Sequence, residues 1–195
     1  MFRGEEGMGR EVCPWWLGYL LVNPLRRLYQ DPRAILAPHL GPGMTVVETG
    51  PGMGFFTLEI ARLVGATGRA VAIDVQPRMI SALRRRAERA GLLDRVDTRV
   101  VTPNTTGLED LEGRVDFVLA FAVVHELPDE ERFFAAAAAA LRPGCRLLVA
   151  EPKGHVTDEE FAQTLAAAAR AGLHEVGNAP IRGSRTAVLE KRRGS

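Results

Sequence analysis

Cysteine is nearly absent from this chain: Cys13 and Cys145 are the only two among 195 residues, far apart and without CxxC spacing. That excludes a disulfide framework and a cysteine-built zinc site. It fits a reducing compartment, so a cytoplasmic protein without a metal is expected. Lysine is equally scarce, limited to Lys153 and Lys191; arginine supplies the other basic side chains, and the formal net charge is +1. Nothing in that balance argues for nucleic acid as an electrostatic partner. Long apolar runs are missing too. The stretch 12–22 is apolar but too short to span a bilayer. Glu5, Glu6 and Glu11 precede it and no small-residue cleavage site follows, which argues against a signal peptide. There are no internal repeats. The alanine run at 135–140 resembles low complexity, but it sits in a helix-like segment and alanine is the best helix former. Length and composition suit one main folded domain with a sizeable core.

The most informative stretch is Val46-Val47-Glu48-Thr49-Gly50-Pro51-Gly52-Met53-Gly54-Phe55-Phe56. A short apolar run ends in an acid, and glycines then fall at alternate positions. The run reads as a buried parallel strand and the segment after it as a helix. A tight glycine turn between them lets a ligand approach bare backbone and aims the free N–H groups of the helix start at it. A dinucleotide fingerprint, G-x-G-x-x-G, would want glycine at 55, where this chain has Phe55. Glu48 would also repel a pyrophosphate, whereas it suits a ligand carrying an ammonium group. A nucleotide-dependent dehydrogenase is therefore disfavoured.

Downstream, helical spacing covers 56–64, ended by Gly65. A second apolar run, 70–74, ends in Asp74, and 77–90 reads as a helix with Pro77 in its first turn. Strands are expected at 96–101, 115–122 and 146–150, and helices at 129–141 and 157–171. Pro143-Gly144 reads as a turn, and Thr157 with Glu160 forms a capping box. Val176 and Ala187-Val188-Leu189 suggest two final strands joined through 177–183. Strands alternating with helices imply an α/β, Rossmann-like doubly wound sheet, with helices on both faces. Its ligand site should stand at the switch point beside the first strand.

The glycine pattern resembles motif I of the class I S-adenosylmethionine (SAM) methyltransferases, and the resemblance covers residues 40 to 191. It looks closest to the ubiquinone/menaquinone-type enzymes. It implies a mostly parallel sheet closed by an antiparallel C-terminal strand pair, and SAM as the cofactor, with S-adenosylhomocysteine as product. On that reading Glu48, Gly50, Pro51, Gly52, Gly54 and Phe55 face the methionine end. Asp74, twenty residues past Gly54, takes the ribose hydroxyls, while Val75 and Gln76 flank the adenine. Phe121, near the end of the fourth strand, completes the cofactor set. Many relatives carry an acid after the third strand to read the adenine amino group. Here the segment is Val101-Thr102-Pro103-Asn104-Thr105-Thr106, so either the side-chain carbonyl of Asn104 substitutes or these residues only make a turn.

In this family the transferred methyl lies over the carboxyl ends of strands four and five. Those ends lead into Val124-His125-Glu126-Leu127-Pro128 and Glu151-Pro152-Lys153-Gly154-His155. His125 and His155 are therefore the candidate bases, since a histidine can take a proton from an attacking nucleophile. The alternative for His125 is a helix-entry residue. The expected function is methyl transfer from SAM to a small-molecule acceptor; the alternative is a SAM- or S-adenosylhomocysteine-binding module without turnover. Residues 1–39 stand apart from the methyltransferase domain at 40–195 as an aromatic-rich helical extension. Its Trp15, Trp16 and Tyr19 would wall off the substrate as a lid; the competing readings are packing, a dimer contact or a membrane-surface segment.

Overall fold

The computed structural model describes residues 30–102 and 104–193. Trp15, Trp16 and Tyr19, and with them the lid, lie outside the described residues. The chain alternates strand and helix, as its apolar runs require. Helix α1 (Pro32–Leu36) precedes strand β1 (Thr45–Thr49), followed by α2 (Thr57–Val64), β2 (Arg69–Asp74), α3 (Pro77–Arg89) and β3 (Val96–Val100). Then come β4 (Val115–Phe121), α4 (Glu130–Ala140), β5 (Leu141–Pro152), α5 (Asp158–Arg170), β6 (Leu173–Gly177) and β7 (Ser184–Lys191). The strands form one sheet in the order β3-β2-β1-β4-β5-β7-β6. The pairs β1–β2, β2–β3, β1–β4 and β4–β5 are parallel, and β7 runs antiparallel to both β5 and β6. The order reverses at β1, so the segments leaving the paired strands β1 and β4 run to opposite faces and open the crevice where such sheets bind ligands.

The two faces of the sheet are read off by strand alternation. Val46, Ala70, Ala72, Phe117, Leu119 and Leu148 share one face with Leu58, Ile60 and Val64 of α2 and Ile80 and Leu83 of α3. Val47, Val71, Val118, Leu147 and Leu189 share the other with Phe133, Phe134 and Ala137 of α4 and Phe161 and Ala168 of α5. The alanine run thus lies on a packed helix, where small side chains let α4 approach the sheet. Among the described residues, no helix is long and apolar enough to cross a membrane.

Two details concern the first helix and the segment Pro143-Gly144, of which the second departs from the sequence reading. Helix α1 falls within 1–39, and its Leu36 is fully buried in the same cluster as Val46. Asp31 caps it, accepting from the Arg33 N–H at 3.0 Å, and Pro32 stands in its first turn. Pro143-Gly144 is not a separate turn but an irregularity inside β5. Leu141 already pairs with Val115, the register shifts, and pairing resumes at Phe117 with Arg146. The left-handed φ of 80° at Gly144 absorbs the extra length.

The capping box at α5 is complete: Glu160 N–H donates to Thr157 Oγ1 at 3.2 Å, and Thr157 N–H to Glu160 Oε2 at 2.8 Å. Thr157→Ala is expected to cost about 1 kcal/mol in urea unfolding while leaving ligand affinity unchanged, since α5 packs away from the crevice.

Candidate active site

The glycine turn after β1 takes left-handed φ values at all three glycines: 68° at Gly50, 54° at Gly52 and 84° at Gly54. Their surroundings differ. A Cβ on Gly54 would stand 2.2 Å from Leu83 Cδ1, and one on Gly50 would stand 2.6 Å from Val123 Cγ2. Those two are needed for packing. A Cβ on Gly52 would meet nothing within 4 Å. Gly65, Gly91 and Gly113 share that openness at surface turns; what sets Gly52 apart is its place at the switch point of the sheet, where open space beside bare backbone lets a ligand approach.

Asp74 borders this cradle. It ends β2, is 9% exposed, and accepts backbone N–H groups from Gln76 (2.8 Å), Gly52 and Val75. Burial raises its pKa to about 6, partly offset by those donors, and the nearby charge of Glu126 adds to the rise. Val75 beside it keeps an exposed apolar side chain, 41% accessible. Glu48 is buried at the end of β1 and accepts the Thr57 hydroxyl from the start of α2. Phe121 and Phe56 pack with ring centroids 4.5 Å apart, and Phe55 is buried edge-on against Phe56. Asn104 is exposed in a turn closed by Thr105 N–H to Thr102 C=O (3.0 Å), and its own carbonyl accepts from Arg132 at the start of α4.

At the far side, β4 is followed by Ala122, whose φ of 53° is the left-handed value rare outside glycine. Its N–H donates to Ala150 C=O at 2.7 Å. A single 3-10 turn, Val124–Glu126, follows. Glu151, 1% exposed at the end of β5, reaches into this turn. Its Oε1 accepts the N–H groups of Val123 (3.3 Å) and Val124 (2.9 Å), and its Oε2 pairs with His125 Nδ1. His125 Nε2 lies 3.9 Å from Glu126 Oε1, and the His125 and His155 rings are 6.0 Å apart. The structure therefore brings both histidines together, and it adds Glu151 to them. Sequence reading placed Glu151 at the right strand end, but His125 is 26 positions away in the chain and only β4–β5 pairing joins them.

The crevice fits a ligand with an amino-acid tail and a ribose, but no phosphate. An open backbone cradle stands next to a carboxylate able to accept two hydroxyls, and a second carboxylate, Glu48, ends the strand leading into the turn. The comparisons agree. A family model described as a methyltransferase domain matches residues 46–144. The chain is 33% identical to a ribosomal protein L11 methyltransferase of Pelotomaculum thermopropionicum, over 71% of this chain and 41% of that protein. It is 37% identical to a ubiquinone biosynthesis O-methyltransferase of Methylocella silvestris, over 58% of this chain and 41% of that one. It thus spans less than half the length of these relatives. The crystal structure of a SAM-dependent methyltransferase from Aquifex aeolicus superposes with a TM-score of 0.80 at 24% identity, covering 92% of this chain and all of that one, a likeness of fold. With motif, topology and family model in agreement, this chain belongs to the class I SAM-dependent methyltransferases, the family whose cofactor is S-adenosylmethionine.

Proposed function

We propose that the chain transfers the methyl group of SAM to a small-molecule acceptor and releases S-adenosylhomocysteine. The observation that carries this reading is the cradle at Gly52, open to a ligand and bordered by the buried Asp74. The backbone of Gly50, Pro51, Gly52 and Gly54 receives the amino-acid tail, with Glu48 toward its ammonium group. Asp74 accepts the ribose hydroxyls, the exposed Val75 and Gln76 flank the adenine, and Asn104 stands at its outer edge. Phe121 and Phe55 wall the crevice. When bound, SAM supplies a methyl group made electrophilic by the attached sulfonium. The chain's own part is to align the acceptor, keep water away and receive a proton beside His125 and His155. The net charge of +1 supports a small acceptor over nucleic acid.

Calorimetry provides the test. SAM and S-adenosylhomocysteine are expected to bind at one site per chain and NAD not to bind; NAD binding in preference to SAM would reverse the reading. A panel of small acceptors, followed by a coupled homocysteine assay, then separates turnover from binding alone.

A further inference from the structure

We infer that Arg99 is a positioning residue for the adenine end of the cofactor: acting through the segment 104–111, it holds Asn104 where the base is read. The inference rests on the reading that seats the base beside Val75 and Asn104, and it names what keeps that seat in shape.

Among the described residues no helix stands between β3 and β4, so the segment 104–111 has no helical ladder to hold it. Its backbone groups must find other partners. Leu108 and Leu111 are buried in the same cluster as Ile73 and Val115, which fastens the segment to the core. Apolar contact is non-directional, however, and does not by itself fix where the polar groups point. Arg99 supplies the direction. It stands two residues after Asp97 on β3, hence on the same face. Asp97 Oδ2 accepts from Arg99 Nε at 3.1 Å and Nη2 at 2.9 Å, which sets the plane of the guanidinium. Nη1 then donates to Gly107 C=O at 2.6 Å and to Asp110 Oδ1, and Nη2 donates to Asp110 Oδ2 at 3.0 Å. The Arg99 side chain is 19% exposed, so water competes little for these bonds.

The chain turns at Gly107 with a left-handed φ of 71°, and a Cβ there would stand 2.8 Å from Val101 Cγ1 and 3.2 Å from Ile73 Cγ2. The segment is thus pressed onto the end of β2, the strand that carries Asp74. Val101 N–H also donates to Asp74 C=O at 3.0 Å, so the exit of β3 is tied to the same residue. A second guanidinium holds the other end of the segment: Asn104 C=O accepts from Arg132 of α4. Asp129 caps that helix through the main-chain N–H of Arg132 at 2.9 Å, a bond that does not involve the Arg132 side chain. Arg132 is exposed and Arg99 is not, which puts the greater share of the hold on Arg99. A loop already held in its binding shape has less order to lose when the ligand arrives. That matters most for a neutral amide carbonyl such as Asn104's, a weaker acceptor than a carboxylate.

Arg99→Lys is the decisive variant. It keeps the charge and the aliphatic stem, but one ammonium group cannot span Asp97, Gly107 and Asp110 as the planar fork does. In the ligand-free protein, amide exchange is expected to quicken roughly tenfold at Thr105, Thr106 and Leu111, whose N–H groups are bonded locally, and to stay unchanged in β4. Calorimetry then compares S-adenosylhomocysteine with S-inosylhomocysteine, which carries an oxygen acceptor in place of the adenine amino group. The wild type is expected to prefer the adenine compound by roughly tenfold, the effect of one unmade hydrogen bond. In Arg99→Lys its affinity is expected to fall roughly five- to tenfold, while the inosine compound, which does not use the seat, changes by less than about twofold. Arg132→Ala, which leaves the α4 cap in place, should narrow the preference in the same direction by a smaller factor. A general loss of structure would weaken both compounds alike. Equal losses, an undiminished preference, or wild-type exchange rates in Arg99→Lys would each overturn the inference. The underlying reading fails in a different arm: a wild type that binds both compounds equally removes the base from Asn104 and takes the inference with it, whatever the exchange rates.

Discussion

Gly52→Ala is expected to give a folded protein that binds SAM poorly, and Gly54→Ala a protein that is itself badly destabilised. Both positions have left-handed φ, 54° and 84°, so each alanine costs about 1–2 kcal/mol in backbone strain. The difference lies in what the new methyl meets. At 52 it enters open space, the space assigned to the ligand, and should weaken SAM or S-adenosylhomocysteine by roughly 5- to 150-fold, the equivalent of about 1–3 kcal/mol of overpacking. At 54 it lands 2.2 Å from Cδ1 of Leu83, a fully buried side chain that must shift within the core to make room. Strain and overpacking then act on the fold itself, for a total near 2–5 kcal/mol, a large share of a typical domain's stability. Urea unfolding and calorimetry on the two variants check the contrast. Equal stability losses with equal affinity losses would show that Gly52 is only a turn residue.

Asp74→Ala is expected to weaken SAM binding by about 2 kcal/mol, near 30-fold, since hydrogen bonds to a charged group are lost. The wild type should also show a pH dependence with a definite sign. Burial holds the carboxyl near pKa 6, and the ribose hydroxyls need its ionised form. Affinity is therefore expected to be flat above about pH 7 and to fall by up to tenfold per unit below about pH 6, while Asp74→Asn should be flat throughout. The same group acts on the ligand-free fold in the opposite direction. In the unfolded chain it titrates lower, so its stabilising contribution is present at low pH and is lost as pH rises through about 6. Calorimetry between pH 5 and 8 tests the binding side; a roughly tenfold fall toward pH 5 that survives in Asp74→Asn would assign the titration to another group.

Much of this arrangement can be read along the chain because its determinants are local. The acid-terminated apolar runs at 46–49 and 70–74, the alternate glycines and the Thr157/Glu160 box each lie within a few residues. They predict β1, β2, the turn and the α5 cap as found. What the sequence hides depends on partners far along it. Nothing near Gly52 or Gly54 says which is packed and which is open, because Leu83 arrives from α3. Nothing near His125 announces Glu151, since strand pairing alone joins them. Pro143-Gly144 has the composition of a turn, and only the pairing of Leu141 with Val115 reveals a strand already under way.

The left-handed Ala122 has a consequence beyond its own strain. By reversing the backbone there, it turns two successive N–H groups, those of Val123 and Val124, toward a single point, the concave geometry known as an anion nest. Many nucleotide-binding proteins leave such a hollow for a phosphate. This one fills it with its own Glu151, so a phosphorylated molecule arriving at that end of the sheet would find its natural seat taken by a fixed negative charge.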